Sequence, residues 1–444
     1  MPKLSTPISY PSFREAFLFW LKLGFISFGG PVGQIAIMHN FVVTQKKWIS
    51  EGRFLHALNY CMVLPGPEAQ QLATYIGWLL HGTRGGLAAG ILFVLPSVFF
   101  LLGLSLLYVV YGTIPWVYAL FYGLKPAVIA IIVVALVKIA HKSLVGPLYY
   151  VIAICSFICI FFLNISFPYL ILTAILIAWI CQRWFPYLLK SYQDEIHLDK
   201  EEDQYLINQN TTSTVTSFRV KHFLSQALTG IFLWGLPIII LYYTSEDFPF
   251  YWQIAVFFTK AALITFGGAY AVLPYIAQIT VEQFHWLSSN QMIDGLALGE
   301  TTPGPLIMVL SFVGFLAGYN HSNGSLLTAT NGLVLTTYYT FLPCFFFILI
   351  GAPLVEKTRQ SPKVKSMLAL VTASVVGVIL NLTLTFSQSV IFPEGFKLSV
   401  INWFALGWAI LSFVVLSKKL LGMISWIGIS ALAGLVLYLS GLIG

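Results

Sequence analysis

Long apolar segments recur along the whole chain, and they constrain its fold more than any other feature. The chain has 444 residues, of which 58% are hydrophobic and 9% are charged, whereas a soluble domain has about 25% charged residues. Each segment is close to the roughly 20 residues that a helix needs to cross the hydrocarbon core of a bilayer. We therefore predict an integral membrane protein.

The segments are typical of helices and not of barrel strands. In lipid only a helix or a closed barrel satisfies its own backbone, and the segments lack the alternation of a barrel strand. The predicted fold class is all-α, a polytopic membrane protein with about 13 transmembrane segments. We place these segments near 13–38, 54–80, 86–111, 115–139, 147–163, 168–186, 224–244, 253–278, 292–318, 327–352, 366–390, 401–417 and 420–442.

A polar stretch divides the chain into two parts. Residues 190–222 contain a run of acidic residues followed by a run of threonine and serine, a composition typical of a solvated linker. The predicted domains are therefore a first transmembrane repeat domain at 1–189, a polar cytoplasmic linker at 190–222 and a second transmembrane repeat domain at 223–444.

The basic residues predict the orientation of the chain. Cytoplasmic loops carry an excess of lysine and arginine, and most of the 23 such residues fall on the side of the N-terminus. The N-terminus is therefore predicted to be cytoplasmic and the C-terminus to lie outside. Lys46, Lys47 and Arg53 are exceptions that fall outside, unless segment 13–80 re-enters the membrane instead of crossing it twice.

An internal repeat relates the two parts at an offset of 238 residues. An odd number of predicted crossings separates equivalent points, so the halves are inverted, as in many secondary transporters. The matched residues, in order, are Phe19, Lys22, Phe28, Gly29, Gly30, Trp48, Pro65, Gly66 and Pro67 in the first half and Phe257, Lys260, Phe266, Gly267, Gly268, Trp286, Pro303, Gly304 and Pro305 in the second.

Two Pro-Gly-Pro triplets, at 65–67 and 303–305, lie in the middle of apolar segments. Their prolines remove backbone donors and disfavour helical geometry at the preceding residue, so each segment must split into half-helices. The paired glycines at 29–30 and 267–268 predict a second break in each half. A half-helix that begins at a break points free N–H groups into a cavity and favours an anion there. The alternative is that these breaks are packing kinks.

Charged residues within the apolar segments are costly and usually face a functional interior. Lys22 and Lys260 are repeat equivalents that could balance a dianion, or could instead extend to the membrane surface. Lys125 has no basic counterpart and is a further substrate candidate. Glu68 follows the first triplet, where a carboxylate can also stabilise a helix N-terminus.

Glu300 is the candidate for proton coupling. It precedes the second triplet, near the C-terminal end of a half-helix, where the helix dipole disfavours negative charge. We expect it to be often protonated. Asp294 and His56 are also repeat equivalents, but they lie near the ends of segments and are expected to be solvated.

The motifs resemble those of the chromate ion transporter family, in its long, two-domain form. The resemblance covers roughly 13–130 and 252–385 and implies chromate efflux across the plasma membrane of a prokaryotic cell, chromate resistance and competition by sulfate. It rests on Phe28-Gly29-Gly30-Pro31, Trp48, Leu64-Pro65-Gly66-Pro67-Glu68-Ala69, Gln71-Leu72, Phe266-Gly267-Gly268, Trp286 and Gly299-Glu300-Thr301-Thr302-Pro303-Gly304-Pro305.

The predicted ligand is a small inorganic oxyanion, either chromate or, as the alternative, sulfate, and the protein is surrounded by membrane lipid. An anion channel is a further alternative. The net charge of +7 is interpreted as a topology signal, not as a nucleic-acid site, and we predict no enzyme, cofactor or metal. The predicted substrate-binding residues are Lys22, Gly29, Gly30, Pro65, Gly66, Pro67, Glu68, Lys125, Lys260, Gly267, Gly268, Pro303, Gly304 and Pro305.

Overall fold

The computed structural model describes residues 10–28, 30–163, 165–189, 204–208, 220–266, 268–355, 362–393 and 401–442. The predicted all-α, polytopic fold with broken helices is confirmed. The helices are α1 Phe13–Ile26, α2 Gly30–His39, α3 Glu51–Val63, α4 Glu68–Tyr111, α5 Pro115–Ser143, α6 Pro147–Leu163, α7 Phe167–Trp184, α8 Val220–Thr244, α9 Phe248–Leu263, α10 Ala269–Ala277, α11 Ser289–Thr301, α12 Val309–His321, α13 Leu326–Val355, α14 Pro362–Ile391, α15 Trp403–Ser417 and α16 Met423–Leu439.

The repeat is visible in the helices and in their packing. A six-residue π-helical segment follows α2 at Asn40–Gln45 and follows α10 at Gln278–Gln283, and α3 and α11 both have 13 residues. The ring of Phe19 meets Trp48 edge-on at 5.9 Å, as the ring of Phe257 meets Trp286 at 5.9 Å. The two halves therefore share one local structure.

The broken segments of the first half are re-entrant. The Tyr10 hydroxyl donates to the Leu80 carbonyl over 2.7 Å, beside the kink in α4 at His81. Lys46 Nζ lies 2.7 Å from Glu15 Oε1. The start of α1, the turn after α2 and the kink in α4 therefore lie on one side of the membrane. It follows that α1 with α2, and α3 with the first part of α4, form two hairpins that enter and leave by that side.

The broken segments of the second half enter from the other side. Asn320 Nδ2 donates to the Trp286 carbonyl over 2.7 Å, and His321 Nε2 lies 3.8 Å from Asp247 Oδ1. The start of α9, the turn after α10 and the end of α12 are therefore adjacent. The second part of α4, with α5, α6, α7 and α8, makes an odd number of crossings before α9, which inverts the second pair of hairpins.

Part of the linker lies against the turn after α2. The Leu206 N–H donates to the Lys47 carbonyl over 3.1 Å, and the Ile207 N–H donates to the Trp48 carbonyl over 3.0 Å. Ile207 is buried. The turn after α2 therefore lies on the linker side of the membrane. The rest of the predicted linker, apart from the start of α8, lies outside the described residues, and the three-part domain division remains a prediction.

The placement of Lys46, Lys47 and Arg53 on the opposite side was wrong. These residues lie on the N-terminal side because the segment before them turns back at its break and does not cross. With these three residues on the N-terminal side, the excess of lysine and arginine on that side of the membrane is larger than the sequence alone predicted.

The helices pack as two bodies. The hairpin body consists of α1 to α4, α8 and α9 to α13, and the six-helix bundle consists of α5 to α7 and α14 to α16. Within the bundle, Gly123 and Gly434 pack against each other's helices so closely that a Cβ on either would collide with backbone of the other. Such glycine contacts let membrane helices approach closely and make a rigid unit.

Re-entry predicts which loops are accessible from each side. Gln45 and Gln283 are repeat equivalents and both are exposed. Lys142 is exposed in the last turn of α5, where this helix has crossed back to the side of the N-terminus. We expect Gln45→Cys and Lys142→Cys to react with a membrane-impermeant maleimide from the same side, and Gln283→Cys from the other. Labelling of right-side-out and inverted vesicles measures this, with the parent protein as control. Reaction of Gln45→Cys and Lys142→Cys from opposite sides would contradict the hairpins.

Candidate functional site

The tips of the hairpins from the two halves are joined by backbone hydrogen bonds. The Gly66 N–H donates to the Thr265 carbonyl over 2.8 Å, and the Gly304 N–H donates to the Ser27 carbonyl over 2.8 Å. Gly66 and Gly304 are repeat equivalents, as are Ser27 and Thr265, so the two bonds are related by the pseudo-twofold axis. At each Pro-Gly-Pro triplet, the glycine N–H has no acceptor within its own broken helix. The paired break of the other half supplies the carbonyl that accepts it.

Glycine is required at both central positions. Gly66 and Gly304 have φ angles of +121° and +95°, which L residues with a side chain rarely adopt. A Cβ on Gly66 would lie 2.6 Å from Cys344 Sγ, and one on Gly304 would overlap Ser97 Oγ. The Ser97 hydroxyl donates to the Pro303 carbonyl. The crossing helices α4 and α13 thus close against the triplets.

Two helix N-termini face each other at these tips. Helix α4 begins at Glu68 after Pro67, and α10 begins at Ala269 after Gly268. Glu68 Oε1 lies 4.0 Å from the position of a Cβ on Gly268. The first N–H groups of a helix have no partner within it, and they carry the positive end of the dipole. This arrangement of backbone suits an anion.

Three buried polar side chains at the tips have atoms without a hydrogen-bond partner among the described residues: Ser27 Oγ, Gln34 Oε1 and Gln71 Oε1. Gln34 Nε2 donates to the Gly304 carbonyl over 2.5 Å, and Gln71 Nε2 donates to the Pro65 carbonyl over 2.7 Å. A buried polar atom without a partner is costly. These atoms therefore indicate a place where a polar ligand or water binds.

Two carboxylates lie near the start of α10. Glu300 is buried, and its Oε1 accepts a 2.5 Å hydrogen bond from the Tyr270 hydroxyl, one residue into the helix. Glu68 is partly accessible. Glu300 is the second-to-last residue of α11, as predicted from the sequence. Both carboxylates thus lie beside the start of α10, where the hairpin tips meet.

Comparison with known proteins identifies the family. A sequence profile described as Chromate transporter matches residues 14–179 and 252–435, which is more than half of the chain and covers both repeats. The chain belongs to the chromate transporter family. The resemblance seen in the motifs is confirmed, and the chain is a multi-pass membrane protein of a transporter family.

Several relatives of this family member align over most of its length. A probable chromate transport protein of Synechococcus elongatus is 30% identical over 371 residues, 83% of each chain. A chromate transport protein of Cupriavidus metallidurans is 27% identical over 96% of this chain and 93% of its own. One from Pseudomonas aeruginosa is 30% identical over 86% of this chain and 82% of its own. No solved structure matches the chain.

The predicted lysine pair of this family member lies on outer helix faces. Lys22 in α1 and Lys260 in α9 are exposed. Lys22 shares its face with the exposed apolar side chains of Leu18 and Phe25, and Lys260 is one turn from the exposed Leu263. These positions agree with the alternative interpretation, in which the two lysine side chains extend to the membrane surface. A role of the pair in substrate binding remains a prediction.

Lys125 lies in a buried polar cluster. Its Nζ is 3.6 Å from Asp294 Oδ1 and donates to Asn290 Oδ1 over 3.2 Å. The Tyr108 hydroxyl donates to Asp294 Oδ2 over 3.0 Å. The expectation that Asp294 is solvated was wrong, because the half-helix that carries it packs against α5. Its position near the end of an apolar segment did not show this long-range contact.

Of the other predicted site residues, Gly29 and Gly267 lie outside the described residues. Gly30 and Gly268 begin α2 and precede α10 with φ angles of +71° and +93°. The proline triplets lie at the tips as predicted, and both are buried. The sequence analysis missed Ser27 and Gln34. Both could have been recognised as polar residues next to a break in an apolar segment, where a side chain must hydrogen-bond to the protein or to a ligand.

The central glycines predict a specific loss of stability. Gly66→Ala and Gly304→Ala should each lower the free energy of unfolding, since positive φ alone costs about 1–3 kcal/mol and the added Cβ meets Cys344 or Ser97. Gly103→Ala is the matched control, because nothing lies within 4 Å of its Cβ position. Thermal unfolding of the purified protein in detergent measures the effect. A melting temperature at parental level in both glycine variants would contradict the tight junction.

Proposed function

We propose that this protein carries chromate across the plasma membrane by secondary active transport, with the anion bound where the hairpin tips meet. The observation that carries the proposal is the junction of the four breaks, with the N-termini of α4 and α10 around it and the Ser27 hydroxyl, which has no hydrogen-bond partner among the described residues. Family membership and the names of the relatives from Cupriavidus metallidurans and Pseudomonas aeruginosa support chromate as the substrate.

The chemistry of the junction suits a tetrahedral dianion. Backbone N–H groups at two helix starts donate from two directions, and the Ser27 hydroxyl adds a side-chain donor. The Gln34 and Gln71 amide nitrogens donate to backbone carbonyls at the tips, so their free oxygens accept hydrogen bonds from water and do not bind the anion directly. Sulfate has the same shape and charge as chromate, so these donors bind both, and sulfate is the competing substrate in the test below.

Inverted hairpins that meet at their tips support alternating access. The breaks hold the site near the middle of the membrane, while the turns after α2 and α10 lie on opposite sides. A relative movement of the hairpin body and the six-helix bundle would expose the site to one side and then to the other. A channel would require both paths to be open together.

We propose a cytoplasmic N-terminus and outward movement of the anion. The excess of basic residues on the N-terminal side, which includes Lys46, Lys47 and Arg53, supports this orientation. Moving one charge through 100 mV is worth about 2.3 kcal/mol, and a dianion gains about twice that on leaving a negative interior. Efflux therefore needs no proton coupling in principle. Proton binding at Glu300 would move a proton with the anion, an arrangement that suits import better.

Uptake of radiolabelled chromate into everted vesicles tests the proposal. We expect saturable uptake that excess sulfate reduces. Ser27→Ala should raise the KM by about tenfold, since a hydrogen bond to a charged group is worth about 1.5–3 kcal/mol. Thr265→Ala is the matched control, because the Thr265 hydroxyl donates to the Ala261 carbonyl within its own helix.

The lysine pair is tested in the same vesicles with Lys22→Ala and Lys260→Ala. Loss of uptake in these variants would support their predicted role in binding. Vesicles that accumulate sulfate but not chromate would remove the chromate assignment and keep the transporter. Uptake that does not saturate, accompanied by stepwise single-channel currents, would support a channel instead.

Glu300 predicts a pH dependence of transport. If protonation of Glu300 accompanies anion binding, the chromate uptake rate should depend on pH in the parent protein and become flat in Glu300→Gln. Glu282→Gln, at an exposed position of the same half, should keep the parental profile. A Glu300→Gln protein with the parental pH profile would remove Glu300 from coupling.

A further inference from the structure

The two pairs of hairpins differ in how far they are buried. Leu55 in α3 is 45% exposed, whereas its repeat equivalent Ile293 in α11 is 0% exposed. Ala36 in α2 is exposed, whereas its equivalent Pro274 in α10 is buried. The same local structure is therefore open to its surroundings in the first half and covered in the second.

The six-helix bundle covers the second pair. Helix α10 packs along α14, and α11 packs along both α5 and α14. The accessible face of α3 carries His56 and Asn59, side chains that suit an aqueous path better than lipid. Glu68, at the junction, is partly accessible, while its equivalent Leu306 is 4% exposed. The structure is thus open on the side of the N-terminus and closed on the other.

An ion pair joins the two bodies on the closed side. Lys125 belongs to the bundle and Asp294 to the hairpin body, and their charged atoms lie 3.6 Å apart with side-chain exposures of 11% and 6%. Tyr108 in α4 donates to Asp294, and its ring meets Phe312 of α12 edge-on at 5.3 Å. Asp294 is therefore held by its own body and attracted to the other.

The residue types of this pair do not recur at the repeat-equivalent positions. The equivalent of Asp294 is His56, and the equivalent of Lys125 is Thr372, at the offset that also relates Pro96 to Pro343. Opposite charges attract strongly at low dielectric, and separating a buried pair leaves costly unpaired charges. The attraction between Lys125 and Asp294 therefore acts while the side opposite the N-terminus is closed, and it lowers the free energy of that state.

We infer that Lys125 and Asp294 form a latch that holds the protein closed on the side opposite the N-terminus. They are positioning residues that act through α11. Opening towards that side requires the pair to separate as α11 leaves α5. The inference rests on the proposed alternating access, but the latch acts without substrate.

The test measures accessibility without substrate. A cysteine at Ala297, which is 0% exposed in α11, reports opening of the closed side, and a cysteine at its equivalent Asn59 reports the open side. In the Ala297→Cys background, Asp294→Asn and Lys125→Gln should each raise the maleimide labelling rate about tenfold or more, which corresponds to about 1.4 kcal/mol. Labelling at Asn59→Cys should fall.

Two further variants separate a latch from damage to the fold. Lys125→Gln with Asp294→Asn removes the attraction between opposite charges without leaving an unpaired charge, and it should also raise labelling at Ala297→Cys. The exchanged pair, Lys125→Asp with Asp294→Lys, should restore slow labelling. Glu15→Gln, which breaks the exposed pair with Lys46, is the control and should leave labelling unchanged.

Slow labelling at Ala297→Cys in the Gln/Asn double variant, in protein that elutes as one symmetrical peak in detergent, would overturn the latch. An equal rise in Glu15→Gln would overturn it too. Neither result depends on chromate. Failure of chromate uptake with these labelling changes intact would instead remove the substrate assignment and leave the latch.

Discussion

The need to satisfy every backbone polar group inside the membrane determines this architecture. A Pro-Gly-Pro triplet cannot form a continuous helix, and water is absent from the hydrocarbon core. The chain meets the requirement by joining the halves, since the Gly66 N–H reaches the Thr265 carbonyl and the Gly304 N–H reaches the Ser27 carbonyl. Each half alone would leave these groups unpaired, so the inverted partner is part of each half's own stability.

The residues that recur in both halves shape the backbone framework, whereas the polar groups of the candidate site differ between the halves. The triplets, the glycines and the tryptophans recur because they shape the hairpins. Thr265 is the repeat equivalent of Ser27. The Thr265 hydroxyl donates to a carbonyl of its own helix, whereas the Ser27 hydroxyl has no hydrogen-bond partner in the described part of the chain. Glu300 corresponds to Met62 and Glu68 to Leu306. A symmetrical framework thus holds an asymmetric site.

The sequence predicted the features that depend on local chemistry. Proline and glycine act on their own backbone, so the breaks and the offset of the repeat could be read directly from the residue pattern. The side on which a half-helix ends depends instead on contacts between distant segments, such as Lys46 with Glu15. The burial of Asp294 depends on α5, far away in the sequence. These features could not be obtained from hydropathy and charge alone.

The proposed latch and the membrane potential act on the same equilibrium, and their sizes decide whether the protein cycles. A dianion crossing 100 mV exchanges about 4.6 kcal/mol with the field, twice the value for one charge. A tenfold change in the population of the open state corresponds to about 1.4 kcal/mol. Because this is smaller than the energy that the dianion exchanges with the field, the pair between Lys125 and Asp294 can bias the resting state without preventing the return. A much stronger attraction would lock the closed side.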